Sequence, residues 1–133
     1  MCLTTGRLAS VTDALSKVQY FSYNDRGEQT RTWGDTTYPV EYVYDDYGQK
    51  TEMHTFRGGT GWTGSTWPAS PGTADVTKWT YEAATGLLTS KTHGYGSAVA
   101  DTIGYTYTPE GRLKTRTWAR LAGGNPLVTT YSY

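Results

Sequence analysis

The segment Gly59-Thr60-Gly61-Trp62-Thr63-Gly64 matches, letter for letter, the G-x-G-x-x-G pattern of dinucleotide-binding loops. That chemistry needs a strand before the loop and a helix N-terminus after it, so that backbone N–H groups meet a pyrophosphate. Here Ser65-Thr66-Trp67-Pro68-Ala69-Ser70-Pro71 follows, and its two prolines leave no room for a useful helix. The segment also lacks the aspartates of calcium-binding glycine repeats. His54 and His93 are the only histidines, and neither has a second His or a Cys at metal-ligand spacing. They read as strand residues, His54 at a strand end. Asp45 and Asp46 resemble a carboxylate pair, but adjacent residues of an extended strand point to opposite faces. Asp45 is better placed to close a turn. No G-x-S-x-G or other nucleophile context occurs. The sequence therefore predicts no catalytic residues, no metal site and no cofactor.

One chemistry survives this reading. A flat ring within reach of solvent, with hydrogen-bond partners beside it, can stack on a sugar. Trp62 and Trp67, accompanied by Thr60, Thr63, Ser65 and Thr66, offer that at minimum in a loop free of the packing demands of a sheet. They are the candidate glycan contacts.

The elements around these residues are written by repetition. Tyr42-Val43-Tyr44-Asp45-Asp46-Tyr47-Gly48 alternates like a strand and then turns, with Tyr42 and Tyr44 on one face and Val43 on the other. Gly48 can supply the positive φ of a tight hairpin. The same unit appears at Phe21-x-Tyr23 with Gly27, Trp79-x-Tyr81 with Gly86, and Tyr105-x-Tyr107 with Gly111. Tyr131-Ser132-Tyr133 begins another, and Thr4-Thr5-Gly6-Arg7-Leu8 reads as the second half of one whose first half is missing. The glycines at 6, 27, 48, 86 and 111 are separated by 21, 21, 38 and 25 residues. Two equal steps set the period, and the longer ones carry insertions.

Composition agrees. Twelve Tyr, five Trp and 25 Thr favour pleated surfaces, and 16 Gly mark turns. Leu, Ile and Val are sparse, so the apolar contribution is expected from aromatic columns along a sheet. Twelve basic and twelve acidic residues give a net charge of zero, which argues against nucleic-acid binding by charge. No run of 18 apolar residues and no leader pattern is seen, so neither a membrane span nor a signal peptide is expected. Cys2, the only cysteine, can form no internal disulfide.

The repeat resembles that of the YD-repeat (Rhs) family, roughly Y-x-Y-D-x-x-G-R-L-x-x-V/T. Tyr42-Val43-Tyr44-Asp45 carries the first half; Gly6-Arg7-Leu8-Ala9-Ser10-Val11-Thr12 and Gly111-Arg112-Leu113 carry the second. The likeness covers the chain outside 57–78, and the Asp position varies as Asn24, Asp45, Glu82 and Thr108. The resemblance implies an all-β strip of repeated antiparallel hairpins, part of a hollow shell that encloses a C-terminal toxin in bacterial polymorphic toxins. In the related animal teneurins a barrel serves cell adhesion. It also implies secretion or a cell-surface location, the remaining repeats of a parent chain as partners, and no catalysis. The D-P-x-G segment that closes many bacterial shells has no counterpart here.

In chain order, residues 1–12 are expected to be a returning strand and Val11 to Lys17 a loop. Hairpins are expected over Val18 to Trp33, Val40 to Phe56, Thr77 to Thr92 and Thr102 to Trp118. Residues 57–78 read as a protruding loop, His93 to Asp101 as a second, and Leu121 to Pro126 as a connection into a strand Leu127 to Tyr133. About ten strands result. Such a strip has two free edges, so residues 1–133 are expected to be one segment of a longer repeat protein.

Overall fold

The computed structural model describes residues 2–4 through their backbone and residues 6–133 with their side chains. It is all-β, with eleven strands and no helix among the described residues. The chain forms two compact units, Met1–Asp75 and Val76–Tyr133. In the first, β1 (Cys2–Thr4), β2 (Arg7–Thr12), β3 (Val18–Tyr23), β4 (Gln29–Gly34), β5 (Val40–Tyr44) and β6 (Lys50–Arg57) pair antiparallel, each with the next. The second holds most of β7 (Thr73–Tyr81), then β8 (Leu88–His93), β9 (Asp101–Tyr107), β10 (Leu113–Ala122) and β11 (Asn125–Thr130), paired in the same way.

One turn chemistry closes four of these hairpins. The N–H of Asn24 donates to the carbonyl of Glu28 (3.0 Å), and the N–H of Gly27 donates back to Asn24 (2.9 Å). The pattern recurs at Asp45 with Gln49 and Gly48, and at Thr108 with Arg112 and Gly111. At Glu82 it is one residue longer, closing on Leu87 with Gly86 donating back. Backbone groups do the closing, so the first position tolerates Asn, Asp, Thr or Glu. The glycine does not vary, because φ is +88° at Gly27, +80° at Gly48, +70° at Gly86 and +79° at Gly111. Just past each turn the register slips, leaving Thr30, Thr51, Thr89 and Lys114 as the extra residue of a bulge.

The structure corrects the sequence reading of the strands and core in several places. The start is not one returning strand, since β1 pairs with β2 (Leu3 opposite Leu8), and Val11 and Thr12 extend β2 rather than open a loop. Strand β7 begins at Thr73, so the irregular insert is 58–72. Residues 121–126 are not a connection. β10 runs on to Ala122, Gly123 and Gly124 turn at φ +59° and +83°, and Asn125 starts β11. Two consecutive positive-φ glycines make the two-residue turn that suits strand twist. Finally, the buried core is not a column of repeat aromatics. The only buried hydrophobic residues among those described are Trp33 and Phe56, at 5% and 7% exposure, and both lie under the insert. The side chain of Cys2 lies outside the described residues.

Candidate functional site

In this chain the groups with a repeated role are those that fasten one hairpin to the next. The pairing register puts Tyr42 opposite Met53 and Val43 opposite Glu52, so Tyr42 and Tyr44 share one face and Val43 takes the other. A single cation confirms it: Lys50 Nζ lies 3.7 Å from the Tyr42 ring centre and 5.9 Å from that of Tyr44. From this face the Tyr44 hydroxyl donates to the carbonyl of Gln29 on the preceding hairpin, at 2.9 Å. Tyr23 does the same to Leu8 (2.9 Å), Tyr107 to Leu88 (2.8 Å) and Tyr133 to Leu113 (2.9 Å). Each acceptor stands two residues past a turn glycine, and each donor is the second aromatic of a repeat.

This clasp explains the sequence pattern. The first aromatic varies (Phe21, Tyr42, Trp79, Tyr105), but the second is always tyrosine, because only tyrosine joins a flat body to a hydroxyl. That invariance was the available signal for the clasp. The Gly-Arg-Leu half of the motif is its receptor. Arg7 lies over the Tyr23 ring and Arg112 over the Tyr133 ring, at 5.9 and 5.5 Å, while Leu8 and Leu113 supply the carbonyls. Burial of the hydroxyl pushes the Tyr44 pKa up, aided by the Glu28 carboxylate and Tyr42; burial, then Tyr105, pushes Tyr107 up. Both phenols are held in the neutral form that donates.

Asp45 serves its turn. Its Oδ1 accepts the N–H groups of Tyr47 and Gln49, each at 2.9 Å. Arg26, from the preceding turn, reaches over to donate to the carbonyls of Asp45 and Asp46. This turn, like the strands, is thus tied to the repeat before it.

The insert 58–72 does not protrude freely. It folds onto the face opposite the clasps, where β4 and β6 present Trp33 and Phe56. Trp67 meets Trp33, Phe56 and Trp62 at ring-centre distances of 5.5, 5.5 and 5.1 Å, near perpendicular to Trp33 and Trp62. Trp62 also tilts against Phe56, Tyr20 stacks on Trp33, and Trp33 Nε1 donates to the Gly64 carbonyl at 2.9 Å. Contrary to the sequence expectation, Trp62 and Trp67 are half-buried members of a five-ring cluster. The glycines of the G-x-G-x-x-G match serve this folding. At Gly59 a Cβ would stand 2.4 Å from the Pro71 carbonyl, so its absence lets the two ends of the insert close together.

Beside this cluster runs a row that the sequence did not disclose. Arg31, Glu41 and His54 are register partners across β4, β5 and β6. Arg31 gives Nε and Nη2 to one oxygen of Glu41, at 2.7 and 2.6 Å. The other Glu41 oxygen lies 3.1 Å from His54 Nδ1, and Glu52 Oε2 lies 2.9 Å from His54 Nε2. His54 is therefore inside β6, not at its end. His93 does end β8, exposed, with Thr77 Oγ1 3.5 Å from its Nδ1. No group of metal-ligating side chains assembles among the described residues.

No family model matches the chain, and no curated protein matches it. Among solved structures, it is similar to the crystal structure of TcdB2-TccC3-TEV, with 18% identity and a TM-score of 0.68. The match covers 97% of this chain and 6% of that one, so this chain spans a small part of the protein it resembles. At that identity the likeness is one of fold. Repeated hairpins, one turn chemistry and one clasp between neighbours give the chain the fold of a YD-repeat segment.

Proposed function

We propose that residues 1–133 serve as one stretch of wall in a larger YD-repeat β shell that encloses or displays another domain, such as a toxin, and carry no catalysis of their own. The observation that supports this most is the clasp. Tyr23, Tyr44, Tyr107 and Tyr133 each bond the backbone of the hairpin before them within their own unit, so the hairpins are fitted to continue one another rather than to surround a ligand. Similarity to one small part of a much longer protein points the same way. The partners are the remaining repeats of the parent chain and the enclosed C-terminal domain, and the location is secreted or at the cell surface. Electron microscopy of the full-length gene product should show a hollow body, and its C-terminal domain should resist protease until the wall is cut. A solid or extended particle with an exposed C-terminal domain would refute the reading.

Glycan binding through Trp62 and Trp67 is the second reading. It is favoured by two tryptophans among hydroxyl side chains, and weakened by the engagement of both rings with Phe56 and with each other. A glycan array separates the two readings.

A further inference from the structure

We propose that the row Glu52–His54–Glu41–Arg31 is a proton-operated latch that holds the 58–72 insert down on the sheet. Both contacts of the His54 ring are satisfied together only when it donates twice. Both ring nitrogens face carboxylate oxygens, at 3.1 and 2.9 Å. An ionised carboxylate only accepts, and a neutral imidazole has one donor and one acceptor. With two N–H groups, signs alternate along the row: Arg31 positive, Glu41 negative, His54 positive, Glu52 negative. Removing one proton turns a ring lone pair toward a carboxylate, and the row then carries a net negative charge.

The consequence travels by contact. A Glu41 that turns from His54 toward water carries with it the fork of Arg31, whose two nitrogens share one Glu41 oxygen. The guanidinium of Arg31 in turn lies 4.8 Å from the centre of the Trp67 ring. Trp67 is the ring that ties the insert to Trp33 and Phe56. The insert itself, 58–72, contains no charged residue, so Arg31 over Trp67 brings a full charge to it, beside the hydrogen bond from Trp33 to Gly64. Other charged groups nearby are engaged elsewhere. Arg57, at the end of β6, is paired with Asp75 at the start of β7 (2.7 Å), and Lys50 lies over Tyr42 on the opposite face. Histidine is the side chain whose charge ordinarily changes between about pH 5 and 8, so a modest pH change can work such a latch. Proton loss releases the insert, and proton gain seats it.

The Trp33 indole N–H is the reporter, because its acceptor is a carbonyl of the insert. Its NMR resonance in the full chain is expected to hold at the low end of that pH range and to move as pH rises. His54→Gln should abolish the movement, and Glu52→Gln, which leaves one carboxylate, should shift it to lower pH. A resonance that stays fixed in the parent, or moves equally in His54→Gln, overturns the proposal. Should His54→Gln fail to fold, the nitrogen shifts of the parent imidazole decide. Both nitrogens must carry protons while the Trp33 signal reports a seated insert, and a singly protonated ring under that signal overturns the latch.

Discussion

The Tyr44 hydroxyl donates to the Gln29 carbonyl across a sequence separation of 15 residues, and the bond is made from an aromatic column to the bulged start of the strand beside it. Its position matters, because the acceptor adjoins the register slip just past the turn. Removing only the hydroxyl, in Tyr44→Phe, should lower stability by about 1 kcal/mol, the net worth of one such bond, plus whatever the stranded carbonyl costs. Tyr44→Ala should cost about 2–4 kcal/mol through lost contact area as well. Urea unfolding of the two variants checks both values. A Tyr44→Phe variant as stable as the parent would deny the hydroxyl its role.

The clasp has an alkaline limit. The pKa values of Tyr44 and Tyr107 are raised above the ordinary 10.0 by burial, so the folded chain holds these protons more tightly than the unfolded one. Their contribution is fully present below about pH 10 and is lost as pH climbs through the higher folded values. Unfolding midpoints should therefore be flat on the near side of pH 10 and fall beyond it. Tyr44→Phe should blunt that fall, and an unchanged slope in that variant would reject the assignment.

Gly111 isolates the backbone requirement of the turn. Its φ is +79°, and a Cβ placed there meets nothing within 4 Å, so substitution tests conformation without a clash. Gly111→Asn should cost a few tenths of a kcal/mol, since Asn visits the left-handed region, whereas Gly111→Val should cost about 1–2 kcal/mol or more. Equal losses would mean that the turn relaxes. Gly34 provides the contrast. There a Cβ would stand 2.2 Å from the Val18 carbonyl, so even Gly34→Ala should be worse than Gly111→Asn.

Trp67→Ala removes the ring at the centre of the insert cluster. Buried aromatic truncations cost about 3–5 kcal/mol. Here the insert can detach while the sheet persists, which caps the loss. The expected result is rapid proteolytic cutting within 58–72 with the far-ultraviolet circular dichroism of the strands retained. Protection equal to the parent would show that Trp62 and the Gly64 carbonyl hold the insert alone.

The repeated hairpins were legible because each carries its own local instructions: alternation, a turn former and a glycine that must have positive φ. Strand Val18–Tyr23 and the turns at Gly27, Gly48 and Gly111 lie where period and glycine placed them. What escaped has a physical cause in each case. Gly123-Gly124 reads as a loop because paired glycines signal flexibility in sequence, whereas a two-residue hairpin turn needs that same pair. The seat of Trp62 and Trp67 was hidden because an insert without periodicity gives no hint of which sheet face it returns to. The Arg31–Glu41–His54 row joins three strands, so only the pairing register reveals it. The clasp lay half in view, in a tyrosine that never varied beside an aromatic that did.

The placement of the clasps divides the labour between the two ends of each unit. Antiparallel succession puts the glycine turns at one end and the connections 13–17, 35–39 and 58–72 of the first unit at the other. Clasp, bulge and turn occupy the first end and constrain its dimensions: the turn at Glu82 is one residue longer, yet glycine, bulge and the Leu88 acceptor of Tyr107 keep their places after it. The far end is fastened without a repeated pattern, by the Tyr38 hydroxyl donating to the Phe56 carbonyl and the Val18 N–H donating to the Asp35 carboxylate, and the connections there differ in length. Variation, whether by evolution or by a protein engineer grafting a foreign epitope, is thereby channelled to one rim. Replacing the residues of 35–39 with a longer peptide should leave Tyr44 on Gln29, while lengthening 45–49 by the same peptide should not.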